Sequence, residues 1–220
     1  MEPVAGYVRR YRLDALLSPD LVAALRSVRK APGDLLIRAD DRVRDLLFLV
    51  EGRAKVYRTM ENGKNLLATF YAPFDVFGDV EIFARDRYTM NVEALTDTIC
   101  LSLPFGAIRK AADRNARLFM YLCGRLGTKL AHRITAASIN LRYPVENRLA
   151  SYLLAAADGE GLALGTDNLG ELADFLGTSY RQLARVVRRF RAEGLMDRTR
   201  GRIRVLDRAK LAPRARDLYE

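Results

Sequence analysis

Five arginines, at positions 181, 185, 188, 189 and 191, lie in the stretch LGTSYRQLARVVRRFRAEGL, residues 176–195, whose other residues read as a packed helix. Guanidinium groups donate in a planar fork that matches phosphate oxygens and the O6/N7 edge of guanine. At about 100° per residue, Arg185 and Arg188 project within about 40° of Arg181 and Arg189 falls at about 80°, whereas Leu183, Val186, Val187 and Phe190 lie on the opposite side. A helix anchored by those aliphatics would therefore hold its arginines outward. Ser179, Tyr180 and Gln182 would flank them at the N-terminal end, where a reading helix enters the major groove.

Positioning such a helix requires a partner helix and a sharp turn. Asn168 with Glu171, and Ser179 with Gln182, each fit a capping arrangement at a helix start. Gly177 permits the tight turn between LGELADFL and the arginine helix, which is the helix-turn-helix pattern. After Gly194, LMDRTRGRIRVLD reads as two short strands around Arg200-Gly201, a basic wing whose Arg200 and Arg202 could lie along a nucleic-acid backbone. The competing reading is a basic amphipathic helix that is merely solvated, or one that engages an acidic protein or lipid surface.

The charge balance of the chain points the same way. Lys and Arg number 37 against 27 Asp and Glu among 220 residues, a formal net charge of +10. From Arg181 to Lys210 there are eleven basic and three acidic residues, a local balance of +8, so most of the excess is focused in one segment. Two cysteines, Cys100 and Cys123, with one histidine, His132, are too few for the usual metal sets, and an all-cysteine iron–sulfur cluster needs four thiolates. Neither a metal site nor an iron–sulfur cluster is expected. His132 reads as a surface or packed residue rather than a haem ligand, and both cysteines as small hydrophobes. With one histidine, no phosphate-cradling glycine loop and no dense carboxylate cluster, no catalytic residue is assigned and no enzyme is expected. No export signal or membrane-spanning run is present, which implies a cytoplasmic protein with no membrane partner.

From about Lys30 to Leu103 short apolar runs alternate with turn residues, including Asn62-Gly63, which predicts a small jelly-roll-like β-barrel within residues 1–112. Residues 113–141 lack proline, and Leu118, Leu122, Leu126, Leu130 and Ile134 recur every four residues, predicting one long helix with an apolar stripe. That stripe either packs on its own domain or pairs with a second copy. A break at Arg142-Tyr143-Pro144 starts a further unit, residues 142–220, giving an α+β architecture overall.

In this order, barrel, long helix and winged helix-turn-helix, the chain resembles the superfamily of the cyclic AMP receptor protein and the fumarate–nitrate reductase regulator (CRP/FNR). The segments APGDLLIR, LLFLVEGRAKVY, FDVFGDVEIF and LGTSYRQLARVVRRFRAEGLM carry the resemblance, and YPVENRLASYLL with LGTSYRQL looks most like its YeiL-type branch. The resemblance implies a transcription regulator whose partners are double-stranded DNA, a second copy and, for an activator, RNA polymerase. It implies dimerisation through Leu118, Leu122, Leu126 and Leu130, and base-reading roles for Arg181 and Arg185. Family members often begin this helix with Arg-Glu where Tyr180-Arg181 stands here, so the operator is expected to differ.

The resemblance also implies an effector pocket formed by Gly78, Asp79, Arg87, Tyr88 and Thr89. Cyclic-nucleotide-binding relatives place Gly-Glu before a short helix and Arg-Ser or Arg-Thr after it, the arginine taking the cyclic phosphate. Here Gly78-Asp79 and Tyr88-Thr89 stand at those positions, and a tyrosine cannot neutralise a buried phosphate. Arg87 is one residue away. Cyclic AMP is accordingly not the expected effector, and the signal is left open.

Overall fold

The computed structural model describes residues 2–63, 65–84, 86–157, 162–163, 168–199 and 202–215. These form two compact units, residues 1–58 with 69–130, and residues 59–68 with 131–220.

Three short helices, α1 (Val4–Arg10), α2 (Leu13–Leu16) and α3 (Pro19–Ala24), precede the strands β1 (Arg26–Lys30), β2 (Leu35–Ile37), β3 (Asp45–Glu51), β4 (Ala54–Thr59), β5 (Asn65–Tyr71) and β6 (Asp75–Phe77). The short helix α4 (Glu81–Ala84), strands β7 (Asn91–Ala94) and β8 (Thr98–Pro104) and helix α5 (Phe105–Lys110) follow. The strands make two four-stranded sheets ordered β1-β8-β3-β6 and β2-β7-β4-β5, the double-sheet arrangement of a jelly roll. Strand β3 reads DLLFLVE and is buried at five consecutive positions, Leu46 to Val50, because it is central in its sheet, paired with β8 on one side and β6 on the other. Its inward Leu46, Phe48 and Val50 join Leu101 and Leu103 of β8 and Tyr7, Leu13 and Leu21 of the N-terminal helices in one core. The hairpin after β4 turns at Gly63 with a φ of 75°, as Asn62-Gly63 predicts.

A long helix, α6 (Ala116–Arg142), follows. Leu118 and Leu122 on it are fully buried and belong to the barrel core. The expected seam between copies therefore does not contain Leu118 or Leu122: their side chains are consumed by their own domain. Leu126 is half-buried, while Met120 is 73% exposed and Leu130 and Ile134 are 62% exposed. The four-residue step drifts round the helix, so it starts on the barrel-facing side and finishes in solvent.

The second unit contains α7 (Val145–Ala156), β9 (Leu162–Ala163), α8 (Leu169–Phe175), α9 (Tyr180–Ala192), β10 (Met196–Thr199), β11 (Arg202–Val205) and α10 (Arg208–Leu211). Strands β10, β11 and β9 form a three-stranded antiparallel sheet beside the helices, the wing. Leu149, Leu153, Leu172, Leu183, Val187, Phe190 and Leu211 are its core. Asn168 caps α8 by accepting from the Gly170 amide at 2.8 Å, and Ser179 caps α9 by accepting from the Gln182 amide at 3.2 Å.

Candidate functional site

Helices α8 and α9 are joined by Leu176 to Ser179, with Gly177 at a φ of 60°. That left-handed conformation is open to glycine without strain, which explains the residue at the turn. Beyond it, Leu183, Val187 and Phe190 bury one face of α9 while Tyr180, Arg181, Gln182, Arg185 and Arg188 are exposed. The predicted opposition of faces is therefore present. With Leu183, Val187 and Phe190 spent on the core and only Val186 half-buried, the helix presents no apolar face to a lipid surface.

The arginines are not equivalent. No carboxylate among the described residues lies within 4 Å of Arg181, Arg185 or Arg188, whereas Arg189 is paired to Glu146 of α7 and lies 3.9 Å from Glu193. Arg214 closes this cluster, 3.1 Å from Glu146 and 2.6 Å from Glu193, with its guanidinium over the Phe190 ring. Arg189, at the margin of the arginine face, is thus half-exposed and held in an ion-pair cluster with α7. Arg191 is likewise paired with Asp197, at 3.2 Å. On the wing Arg204 is exposed. Arg200, the side chain of Arg202 and the side chain of His132 lie outside the described residues.

In the barrel, a cavity of about 640 Å³ is lined by Asp40, Arg58, Glu81, Ile82, Phe83, Asp86, Arg87, Tyr88, Thr89 and Arg109. It gathers the predicted Arg87, Tyr88 and Thr89. Gly78 and Asp79 do not line it. Gly78, at a φ of 85°, lies under the Tyr88 ring, where a Cβ would meet the Asp45 carbonyl oxygen at 2.9 Å. Asp79 is 2% exposed and faces α6, accepting from the Lys129 ammonium at 2.7 Å. The same ammonium donates to the Val76 carbonyl at 2.6 Å and sits 3.7 Å from Asp75, which Arg125 holds at 2.7 Å. Asp79 is therefore a latch residue for the long helix and not a cavity residue. A buried carboxylate requires such a partner, because alone it would be desolvated without compensation.

Tyr88 commits its hydroxyl to the barrel backbone, donating to the Asp45 carbonyl at 2.8 Å and accepting from the Asp45 amide at 3.3 Å. Burial pushes its phenol pKa up, so it stays neutral. Glu81 accepts from both the amide and the hydroxyl of Thr89, at 3.0 and 2.7 Å, tying α4 to the segment before β7. Arg87 donates to the Asp40 carbonyl at 2.6 Å, and Arg58 bonds the Thr89 carbonyl and lies 3.8 Å from Asp40. Arg58, Glu81 and Arg109 escape sequence reasoning because the fold alone brings β4, α4 and α5 to one rim. Cys100 is buried in β8, where desolvation raises its thiol pKa to about 12, and Cys123 is exposed on α6.

A winged helix-turn-helix with a free arginine face, on one chain with a jelly-roll barrel that holds a polar cavity, defines a DNA-binding regulator with a sensing-type domain. Residues 27–115 match the cyclic nucleotide-binding domain family and residues 147–214 the Crp-like helix-turn-helix domain family. The chain is 28% identical over 193 residues to regulatory protein YeiL of Escherichia coli O157:H7, covering 88% of this chain and 87% of that protein. It is 27% identical over 183 residues to the CRP-like cAMP-activated global transcriptional regulator of Mycobacterium tuberculosis, covering 78% and 80%. Its fold is similar to that of a crp/fnr-family regulator from Eubacterium rectale, with a TM-score of 0.76 at 19% identity over 92% of this chain and 96% of that one. A CRP-family transcriptional regulator from Thermus thermophilus gives 0.69 at 22% identity over 85% and 95%. The chain belongs to the CRP/FNR superfamily of transcription regulators, with a YeiL-like character, and as such it is a DNA-binding regulator and not an enzyme.

Proposed function

We propose that the protein is a cytoplasmic homodimer that reads a two-fold symmetric DNA site, with α9 in the major groove and the barrel cavity as the sensing site. The observation that carries this reading is the trio Arg181, Arg185 and Arg188, unpaired among the described residues, on an exposed face whose neighbours Arg189 and Arg191 are ion-paired. A fixed positive face left without counter-charge suits a polyanion. In this reading Arg181 and Arg185 contact base edges, with Ser179, Tyr180 and Gln182 at the point of entry. Arg188, Arg200 and Arg202 contact backbone phosphates.

Dimerisation is supported by the exposed face of α6. Met120, Cys123, Gly124, Gly127, Leu130 and Ala131 all lie in solvent and follow the three- and four-residue spacing of a helical seam. An added Cβ at Gly124 or Gly127 would meet nothing within 4 Å, so these positions leave room for a second helix to approach closely. No helix among the described residues is long and apolar enough to cross a membrane. A role in activation would add RNA polymerase as a partner. The signal in this reading is a small molecule compatible with a cavity lined by both Arg58, Arg87 and Arg109 and Asp40, Glu81 and Asp86. Tyr88 offers no cation where a cyclic phosphate would need one.

Selection from a randomised duplex library, repeated with and without cyclic AMP, tests the reading. An enriched pseudo-palindrome with half-sites about one helical turn apart, roughly 34–36 Å, is expected without the nucleotide. Tight binding with no enriched sequence would reduce α9 to an electrostatic anchor and end the proposal.

A further inference from the structure

Helix α8 ends at the buried Leu176 in a turn whose carbonyl groups need donors. The amides of Leu176, Gly177 and Thr178 satisfy the carbonyls of Leu172, Asp174 and Ala173, at 2.9, 3.1 and 2.9 Å. The carbonyls of Leu176 and Gly177 then remain to be met, and both accept from one side chain. Arg148 of α7, only 5% exposed, donates its Nη1 to the Leu176 carbonyl and to the Gly177 carbonyl at 3.3 Å. Ser179, the cap of α9, comes two residues after Gly177.

The next-door residues of α7 grip what lies on either side. Asn147 donates to the Arg214 carbonyl at 2.8 Å, and Glu146 holds Arg189 on α9 together with Arg214. One turn of α7, Glu146-Asn147-Arg148, thereby touches the helix-turn-helix corner, the reading helix and the C-terminal segment. Burying a guanidinium in a small domain is unfavourable, and a turn that needed only to be closed could leave its last carbonyls to water. What the buried guanidinium adds is directional: its Nη1 holds both carbonyls of the turn, so moving the turn away from α7 breaks both bonds.

We propose that Arg148 is a positioning residue for DNA reading, setting the pitch of α9 from behind without touching DNA. The inference rests on the DNA-reading role proposed above. A residue that only supports the fold, once replaced, lowers stability and weakens binding to every duplex alike. A positioning residue, once replaced, erases preference, because phosphate contacts tolerate a tilted helix and paired contacts to base edges do not.

The test compares Arg148→Met and Arg148→Lys with the unaltered protein. Fluorescence anisotropy measures affinity for the duplex the unaltered protein selects and for a random-sequence duplex, and circular dichroism verifies folding. Expected is a loss of about tenfold for the selected duplex in Arg148→Met, as for one misaligned guanidinium–guanine pair, with random-duplex affinity held. Arg148→Lys, which keeps charge but not the planar fork, falls between. If Arg148→Met does not fold, Arg148→Lys decides. A selected-to-random ratio in folded Arg148→Lys equal to that of the unaltered protein overturns the inference, as does an equal fall on both duplexes. An unaltered protein with no preference at all fails the underlying reading first, and the inference with it.

Discussion

Arg185 and Arg189 stand four residues apart on one helix and have opposite fates. Among the described residues Arg185 has no carboxylate within 4 Å, while Arg189 is paired with Glu146 and lies 3.9 Å from Glu193. Arg185→Ala is expected to relax base preference at one position per half-site, by about 1–3 kcal/mol of discrimination, while leaving thermal stability unchanged. Arg189→Ala should do the reverse: a lower melting temperature and the same sequence preference, read by repeating the library selection on each variant. Sequence reading separated the two faces of α9 correctly, since a helical projection is a local property of residues 181–190. It could not see that Arg189 is claimed by an acid 43 positions earlier, because ion pairing across helices depends on packing and not on spacing. The same holds for Asp79, whose place beside Gly78 suggested a cavity wall and whose carboxylate turns instead to Lys129.

At the scale of elements, the long helix carries two populations of leucine. Leu122→Ala should destabilise the barrel by about 2–5 kcal/mol, since it empties a fully buried position in a closed core. Leu130→Glu should leave the barrel's own melting unchanged and shift the protein toward monomer in light scattering, with DNA affinity falling alongside. Equal effects of the two substitutions on stability would remove the distinction between core face and exposed face. The existence of α6 and of the α8–α9 pair was legible from proline-free runs and caps. Which leucines met the barrel was not, because a four-residue repeat fits an inward and an outward stripe equally well. For the strands, alternation and the Asn62-Gly63 turn sufficed to indicate a jelly roll, but nothing local joined Arg58, Glu81 and Arg109 at one cavity.

The whole molecule is strongly basic, with a net charge of +10 concentrated toward its C-terminal third. Affinity for DNA should therefore fall steeply with added salt. With about three phosphate contacts per copy, a dimer would give a slope near −5 in log K against log salt concentration. Arg202→Ala should flatten that slope by about two units per dimer without altering the selected sequence. A slope that stays the same would take the wing out of the backbone contacts.

The grip of Lys129 and Arg125 on Asp75 and Asp79 has a mechanical consequence. Rolling or sliding that part of α6 on the barrel would strip two carboxylates of their counter-ions at once, so no small, graded displacement is cheap there. The first half of the helix must move as a rigid extension of the barrel.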